Sequence, residues 1–322
     1  MPDTISAMSE QLFKAIFAKA KDFFKAMWGD FVKFVKTNPQ YLLCSIAYYV
    51  LASFLLGGAF TSFLIALLSY VISLFIAFTS LGEKLLRFFE HVRRIETKQE
   101  KEYLLPLFQE VYTQAKEQNP ELGHIELCVI DKMIVNACAL GKRTIAVTKG
   151  AIETFSPDEL KALMAHEIAH ILYGDSMARL YTTVGNGVVT VFVLATQLFI
   201  FIAEWIERIA SKTKFSFAWI IITLVKLLFT LVLFAVQFLM KMVLAFSSRR
   251  SEFRADRYAY ELGYGEKLIV GLYLLEKMQL GANATAIQKM TADHPRITAR
   301  IERLETLLDQ DSAMQSAPLP LS

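Results

Sequence analysis

His166-Glu167-Ile168-Ala169-His170 puts two imidazoles one helical turn apart with a carboxylate between them. On a helix, residues i and i+4 point from the same face, so His166 and His170 can grip one metal ion while Glu167 stays within reach of a water beside it. Zinc suits such donors, an inference from ligand type alone. Leu160, Leu163, Met164, Ala165, Ile168, Ala169 and Ile171 make the surrounding segment apolar, and a helix of this kind belongs in a core. An ionised glutamate is costly there unless something positive accompanies it. Ser156-Pro157-Asp158-Glu159 just upstream gives the helix a serine cap and a proline at its first position. The competing reading is a core helix with two satisfied histidines.

Outward from that helix, the chain divides into membrane and globular parts. Its 322 residues are 54% hydrophobic, with 25 phenylalanines, which is too apolar for an ordinary soluble domain, yet 20% charged residues leave room for one. No charge occurs between Lys36 and Glu83, and Gly57-Gly58 divides that run into two spans and a turn. Tyr181 to Ala203 is a third uncharged run, and Leu227 to Phe246 a fourth, flanked by Lys226 and ending past Lys241, both placed to snorkel. The alternative for the last two is a pair of buried core helices.

Lysines and arginines give the orientation, because cytoplasmic loops are richer in them. Lys14, Lys19, Lys21, Lys25, Lys33 and Lys36 precede the first span, and Arg249, Arg250, Arg254 and Arg257 follow the fourth. Both termini and the metal helix are therefore expected in the cytoplasm of a multi-pass protein of the cell inner (plasma) membrane. The loop 204–214, with Arg208, Lys212 and Lys214, runs against the rule. The net charge of +3 without a basic run on a soluble face argues for no nucleic-acid partner. Cys44, Cys128 and Cys138 form no paired-ligand motif and are expected as reduced thiols. His91 and His124 read as surface histidines.

The expected layout runs in six parts. Residues 1–40 form an amphipathic helix on the membrane surface, or packed on the catalytic domain. Residues 41–82 are the first transmembrane hairpin, 83–180 the first part of the catalytic domain, 181–246 the second hairpin, 247–310 the second part, and 311–322 a disordered tail. Within 83–118 the pattern predicts helix interrupted at Pro106. Then Ile125–Ile130, Met133–Leu140 and Arg143–Val147 read as short strands of a small sheet.

A catalytic zinc takes three protein ligands, and Tyr173 and Ser176 stand where a contiguous His-x-x-Gly-x-x-His motif needs glycine and histidine. The third ligand must come from farther away. Ser251-Glu252-Phe253-Arg254-Ala255-Asp256 lies just past the return of the second hairpin, with Glu252 and Asp256 on one helical face and Ala255 and Ala259 allowing close approach. Glu252 as ligand and Asp256 as the acceptor that orients an imidazole is one reading; a solvated helix pairing its acids with nearby arginines is the other.

His-Glu-x-x-His, two membrane helices, then Glu-x-x-x-Asp resembles the HtpX-like branch of the membrane zinc metallopeptidases, whose eukaryotic relatives include the CAAX prenyl protease. Asn136-Ala137-Cys138-Ala139-Leu140-Gly141 looks like the family's edge strand, with cysteine in place of phenylalanine. Ala146 to Gly150 looks like the strand leading to the metal helix, and Asp293-His294-Pro295, followed by Arg296 and Arg300, like its Ser/Thr-His-Pro element, with aspartate in the first place. The likeness spans about residues 45–305.

The resemblance implies a mainly α integral membrane protein, with four transmembrane helices and a cytoplasmic α+β catalytic domain of zincin (gluzincin) type. It implies one Zn2+ held by His166, His170 and Glu252, with Glu167 as general base and Asp256 bracing the first histidine. His294 is the implied oxyanion donor, against a capping role before the next helix. Asn136 is implied to meet the substrate backbone, against a plain strand-end asparagine. The expected activity is endopeptidase cleavage of misfolded or damaged membrane proteins entering as unfolded segments at the bilayer surface. A dedicated CAAX-type processing protease and a catalytically silent zinc-binding scaffold are the alternatives. Autolysis of the tail and of loops near the site is a further expectation.

Overall fold

The structure, a computed structural model, describes residues 2–37, 60–185, 217–280 and 297–316, with scattered positions in 39–53 and 187–206. It is mostly helical around one small mixed sheet. The helices are α1 (Pro2–Thr37), α2 (Phe60–Phe78), α3 (Ser80–Phe89), α4 (Lys98–Gln118), α5 (Lys149–Thr154), α6 (Pro157–Tyr173), α7 (Ser176–Leu180), α8 (Phe217–Ala259), α9 (Gly265–Leu280) and α10 (Ile297–Ser316). The strands are β1 (Val92–Arg94), β2 (Glu126–Ile130), β3 (Ala137–Leu140) and β4 (Thr144–Thr148). They lie in the order β1-β2-β4-β3, with β2 and β4 parallel and both outer pairs antiparallel, so β3 is an edge.

Side chains alternate across a strand, and here both faces are covered. Leu127, Val129, Ala137, Ile145 and Val147 join a core with α4, α6, α9, α10 and the end of α8. Cys128, Ile130, Cys138, Leu140 and Ala146 join a second one with Phe34 of α1, Ala77 and Phe78 of α2, Leu86 of α3, and Met177 and Leu180 of α7. Both described cysteines are buried and outside any disulfide, and burial pushes the Cys128 thiol up to about 11, away from the reactive thiolate.

Several expectations change in detail. Strand β1 lies inside the stretch read as helix, and Pro106 does not break α4. That proline is solvent-exposed, so the carbonyl it deprives of a partner can turn to water. Helix α10 continues through Ser316, into the tail expected to be disordered, because the Tyr260 hydroxyl donates to Leu307 O and to the Asp311 carboxylate and ties down its last turns. The fourth apolar run and the segment bearing Glu252 are one 43-residue helix.

Helix α1 meets the sheet layer rather than standing apart. Phe34 packs on Phe78 and Tyr181, and Asp30 pairs with Lys142 in the β3–β4 turn. Phe17, Phe24 and Trp28 face outward. Among the described residues no single helix is long and apolar enough to cross a membrane, although α2 and α3, bent by 81°, pass that test as a pair. Most of the first and third expected spans lie outside the described residues.

Candidate metal centre

Helix α6 starts where the sequence signals it. Ser156 Oγ accepts from the Glu159 amide, the Glu159 carboxylate accepts from the Ser156 amide, and Pro157 takes the first position. Gly174 ends it in the left-handed conformation, φ 81°, which places Asp175 back beside the last turn. Opposite α6 lies the C-terminal end of α8. Ala162, Ala165 and Ala169 on one helix and Ala255 and Ala259 on the other are fully buried, and their small side chains let the backbones approach.

That approach brings Glu252 between the two histidines. Its carboxylate oxygens lie 3.3 Å from His166 Nε2 and 3.4 Å from His170 Nε2, and the two Nε2 atoms are 3.2 Å apart. The three ligand atoms all fall within 4.8 Å of one another, a group that could hold a metal ion. Two imidazoles and one carboxylate, converging and buried, are the donor set of a three-ligand catalytic site, so the residues fit the ion expected of them.

The far nitrogens of the imidazoles are braced. Asp256 Oδ1 is 2.9 Å from His166 Nδ1, and Asp175 Oδ2 is 3.3 Å from His170 Nδ1. Each aspartate is in turn clamped by an arginine. Arg300 donates to Asp256 at 2.6 and 2.8 Å and reaches Glu252 at 3.1 Å, while Arg254 donates to Asp175 at 2.7 and 3.0 Å and lies 4.4 Å over the Tyr173 ring. This supplies the positive partners that so many buried acids require.

Burial and the Arg300 charge push His166 down, but hydrogen bonds to Asp256 and Glu252 outweigh them and leave it above its usual range. Burial likewise lowers His170, yet Asp175 and Glu252 carry it up to about 10. Asp256 is opposed by burial and held low by Arg300 and His166. Both imidazoles thus sit in a field that favours positive charge at the centre of the cluster.

Glu167 is 6% exposed, and one carboxylate oxygen accepts from the Ala139 amide at 2.7 Å. Ala139 lies on edge strand β3, so this amide points away from β4 and toward α6. Asn136 directly precedes that strand, exposed, with its amide on Thr148 Oγ1 and its carbonyl accepting from Thr148. His294 lies outside the described residues.

Sequence reading thus located His166, Glu167, His170, Glu252 and Asp256, which the fold brings together. Asp175, Arg254 and Arg300 had no place at the metal centre in that reading, where Arg254 served the orientation and Arg300 followed the Asp-His-Pro element. The Gly174-Asp175 pair directly after the helix was the available signal for the first. The alternation Glu252-x-Arg254-x-Asp256 was the signal for the second.

A sequence model of peptidase family M48 matches residues 98–308. The chain is 29% identical over 217 residues to Protease HtpX of Tolumonas auensis, covering 62% of this chain and 72% of that one. It is 28% identical over 275 residues to Protease HtpX of Pseudomonas putida (strain W619), covering 79% and 85%. Among solved structures it is similar to S. mikatae Ste24p, with 18% identity and a TM-score of 0.49 over 87% of this chain and 67% of that one. With the family's match running from α4 to α10 and enclosing the whole His166–His170–Glu252 cluster, the chain belongs to peptidase family M48, as an HtpX-like metalloprotease that hydrolyses peptide bonds.

Proposed function

We propose that this metalloprotease is a multi-pass membrane zinc endopeptidase that cleaves misfolded or damaged membrane proteins, with its active site and both termini on the cytoplasmic side of the inner (plasma) membrane. The observation that carries the catalytic part is Glu167: a buried carboxylate beside a converging metal-ligand set, anchored to an edge strand. The membrane part rests on α2. That helix contains no Asp, Glu, Lys or Arg and turns Phe60, Leu68 and Val71 outward.

Zinc, when bound by His166, His170 and Glu252, supplies a Lewis acid for the scissile carbonyl and lowers the pKa of water toward ~7. Asp256 and Asp175 each hold the far nitrogen of one imidazole, which leaves both Nε2 atoms as donors to the shared centre. Glu167 takes the proton of the attacking water and can return it to the leaving amine, and the Ala139 amide keeps the carboxylate aimed for both transfers. The free edge of β3 offers main-chain groups to an extended segment, with Asn136 at its end, a mode that reads backbone more than side chains and suits unfolded substrates of varied sequence. His294 is assigned the oxyanion donor's role.

The test is casein hydrolysis by the detergent-purified, zinc-loaded protein beside Glu167→Gln. The variant is expected to keep its zinc and lose about 10²–10⁴-fold in rate. Unchanged hydrolysis by the variant would remove Glu167 from the mechanism.

A further inference from the structure

Helix α3 is amphipathic the wrong way round for a helix in water. Its side facing the sheet places both a glutamate and an arginine beside Leu86. Glu83 Oε1 accepts from Thr144 Oγ1 at 2.9 Å and from the Arg143 amide at 3.0 Å, and Arg87 donates to Thr144 Oγ1 and to Glu126. Gly82 and Leu86 are buried on this side, and Glu83 and Arg87 are half-buried beside them. The opposite side carries Leu81, Phe88 and Phe89, 51%, 73% and 57% exposed, around half-buried Leu85, with Lys84 at the margin. At 100° per residue these five positions form one continuous arc. A protein that spends its charged side chains on the inside of such a helix has placed the apolar side against something other than water.

We propose that this outer face of α3 lies in the lipid interface of the bilayer, parallel to the membrane plane, and docks the catalytic sheet on the membrane. The inference rests on the membrane reading given above and adds the partner of this surface. The reason to assign lipid rather than a protein is continuity. Helix α2, free of charged side chains and about 28 Å long at 1.5 Å per residue, runs directly into α3. The two pass as a candidate membrane segment only together, and with a corner of 81° between them an α2 inserted near the normal delivers α3 into the plane.

The corner itself is fixed by contacts. The Thr79 hydroxyl and amide both donate to Ile76 O, and a Cβ at Gly82 would overlap Ile76 O and the Ala77 backbone. Lys84, at the edge of the arc, can reach the headgroups. Through Glu83 and Arg87 the strand hairpin β3–β4 is then tied to a membrane-bound support, which sets the height at which an unfolded segment meets the edge strand.

The full-length protein in phosphatidylcholine–phosphatidylglycerol nanodiscs provides the test. A ketone-bearing phenylalanine analogue, coupled to a nitroxide, is placed singly at positions 68, 81, 88, 89 and 102. Relaxation by oxygen against a water-soluble nickel chelate then reports depth. Positions 81, 88 and 89 are expected to be oxygen-accessible, nickel-protected and at similar depth, shallower than 68, while 102 on α4 stays in water. If 68 lies in lipid but 88 and 89 behave like 102, the interface assignment is wrong and the membrane reading survives. Positions 88 and 89 shielded from both reagents would mean a protein covers them, which also overturns it. If 68 too lies in water, the membrane reading fails first and the proposal goes with it.

Discussion

The two faces of the sheet are finished differently. Toward α6, α9 and α10 the packing is closed: Leu160, Met164, Ile168, Leu272 and Leu304 are fully buried, and the buried acids of the metal centre have partners. Toward α1, α2 and α3 the core is thinner, and large apolar side chains such as Trp28, Leu68 and Phe88 point away from it. A single sheet therefore separates a region organised for a buried ion from one organised to face an apolar surrounding. Only the first face has to hold atoms within tenths of an ångström.

The largest effect that would break this comparison is at the ligands. Glu252→Ala should abolish stoichiometric zinc binding and with it hydrolysis, read by metal analysis of the purified protein; retained zinc would place the third ligand elsewhere. Next comes packing. Leu160→Ala on the closed face should cost about 2–5 kcal/mol, seen as a lower unfolding temperature in detergent, whereas Leu68→Ala on the outward face should leave that temperature nearly unchanged. Equal losses from the two would mean that α2 is packed rather than lipid-facing. Asp175→Asn keeps the shape of the side chain and removes its charge between His170 and Arg254. A loss of about 10–100-fold in zinc affinity by chelator competition is expected, with the folded signal intact. An unchanged affinity would leave Asp256 as the sole brace.

The same division governs what could be read from the sequence. Helix α6 was legible because its signals are local: a serine cap, a proline at the first position, a 3.6-residue apolar period and a glycine stop. Glu252 was legible only in part: helical spacing and two alanines allowed a close approach but left a solvated ion-paired helix equally open, and the family resemblance was what singled it out as a ligand. Strand β1 was not, since Val92-Arg93-Arg94 has no pattern of its own and exists by pairing with β2, more than thirty residues later. Arg300 escaped for the same reason, and the local signals at Asp175 and Arg254 did not say which partner each would meet. Their roles come from which acid stands opposite each, a relation set by the crossing of α6, α8 and α10. The inverted polarity of α3 was likewise hidden, because the Glu83 and Arg87 side could be told from the solvent side only once Thr144 and Glu126 were seen beneath it.

The smallest effect separates two ion networks of similar composition. Arg93 links Glu100, at the start of α4, to Asp131 after β2, with distances of 2.6 and 2.7 Å, but at the surface, whereas Arg300, Asp256, Glu252 and His166 are enclosed. The Arg93 hydrogen bond, aided by the amides of Thr97 and Glu96, holds the Glu100 carboxyl down to about 2, below its ordinary 4.5, and Asp131 is lowered by Arg93 as well. A carboxyl depressed in the folded state binds its proton more readily when unfolded, so the stability it contributes is complete above about pH 4.5 and lost as pH falls toward 2. Because the pair is screened, that contribution should stay under about 1 kcal/mol. Glu100→Gln retains the capping geometry, so the difference in unfolding midpoint between it and the unaltered protein should be constant near neutrality and shrink to nothing between pH 4.5 and 2. A difference that persists at pH 2 would assign the effect to the helix cap, and the surface network would then carry no charge-dependent share of the fold.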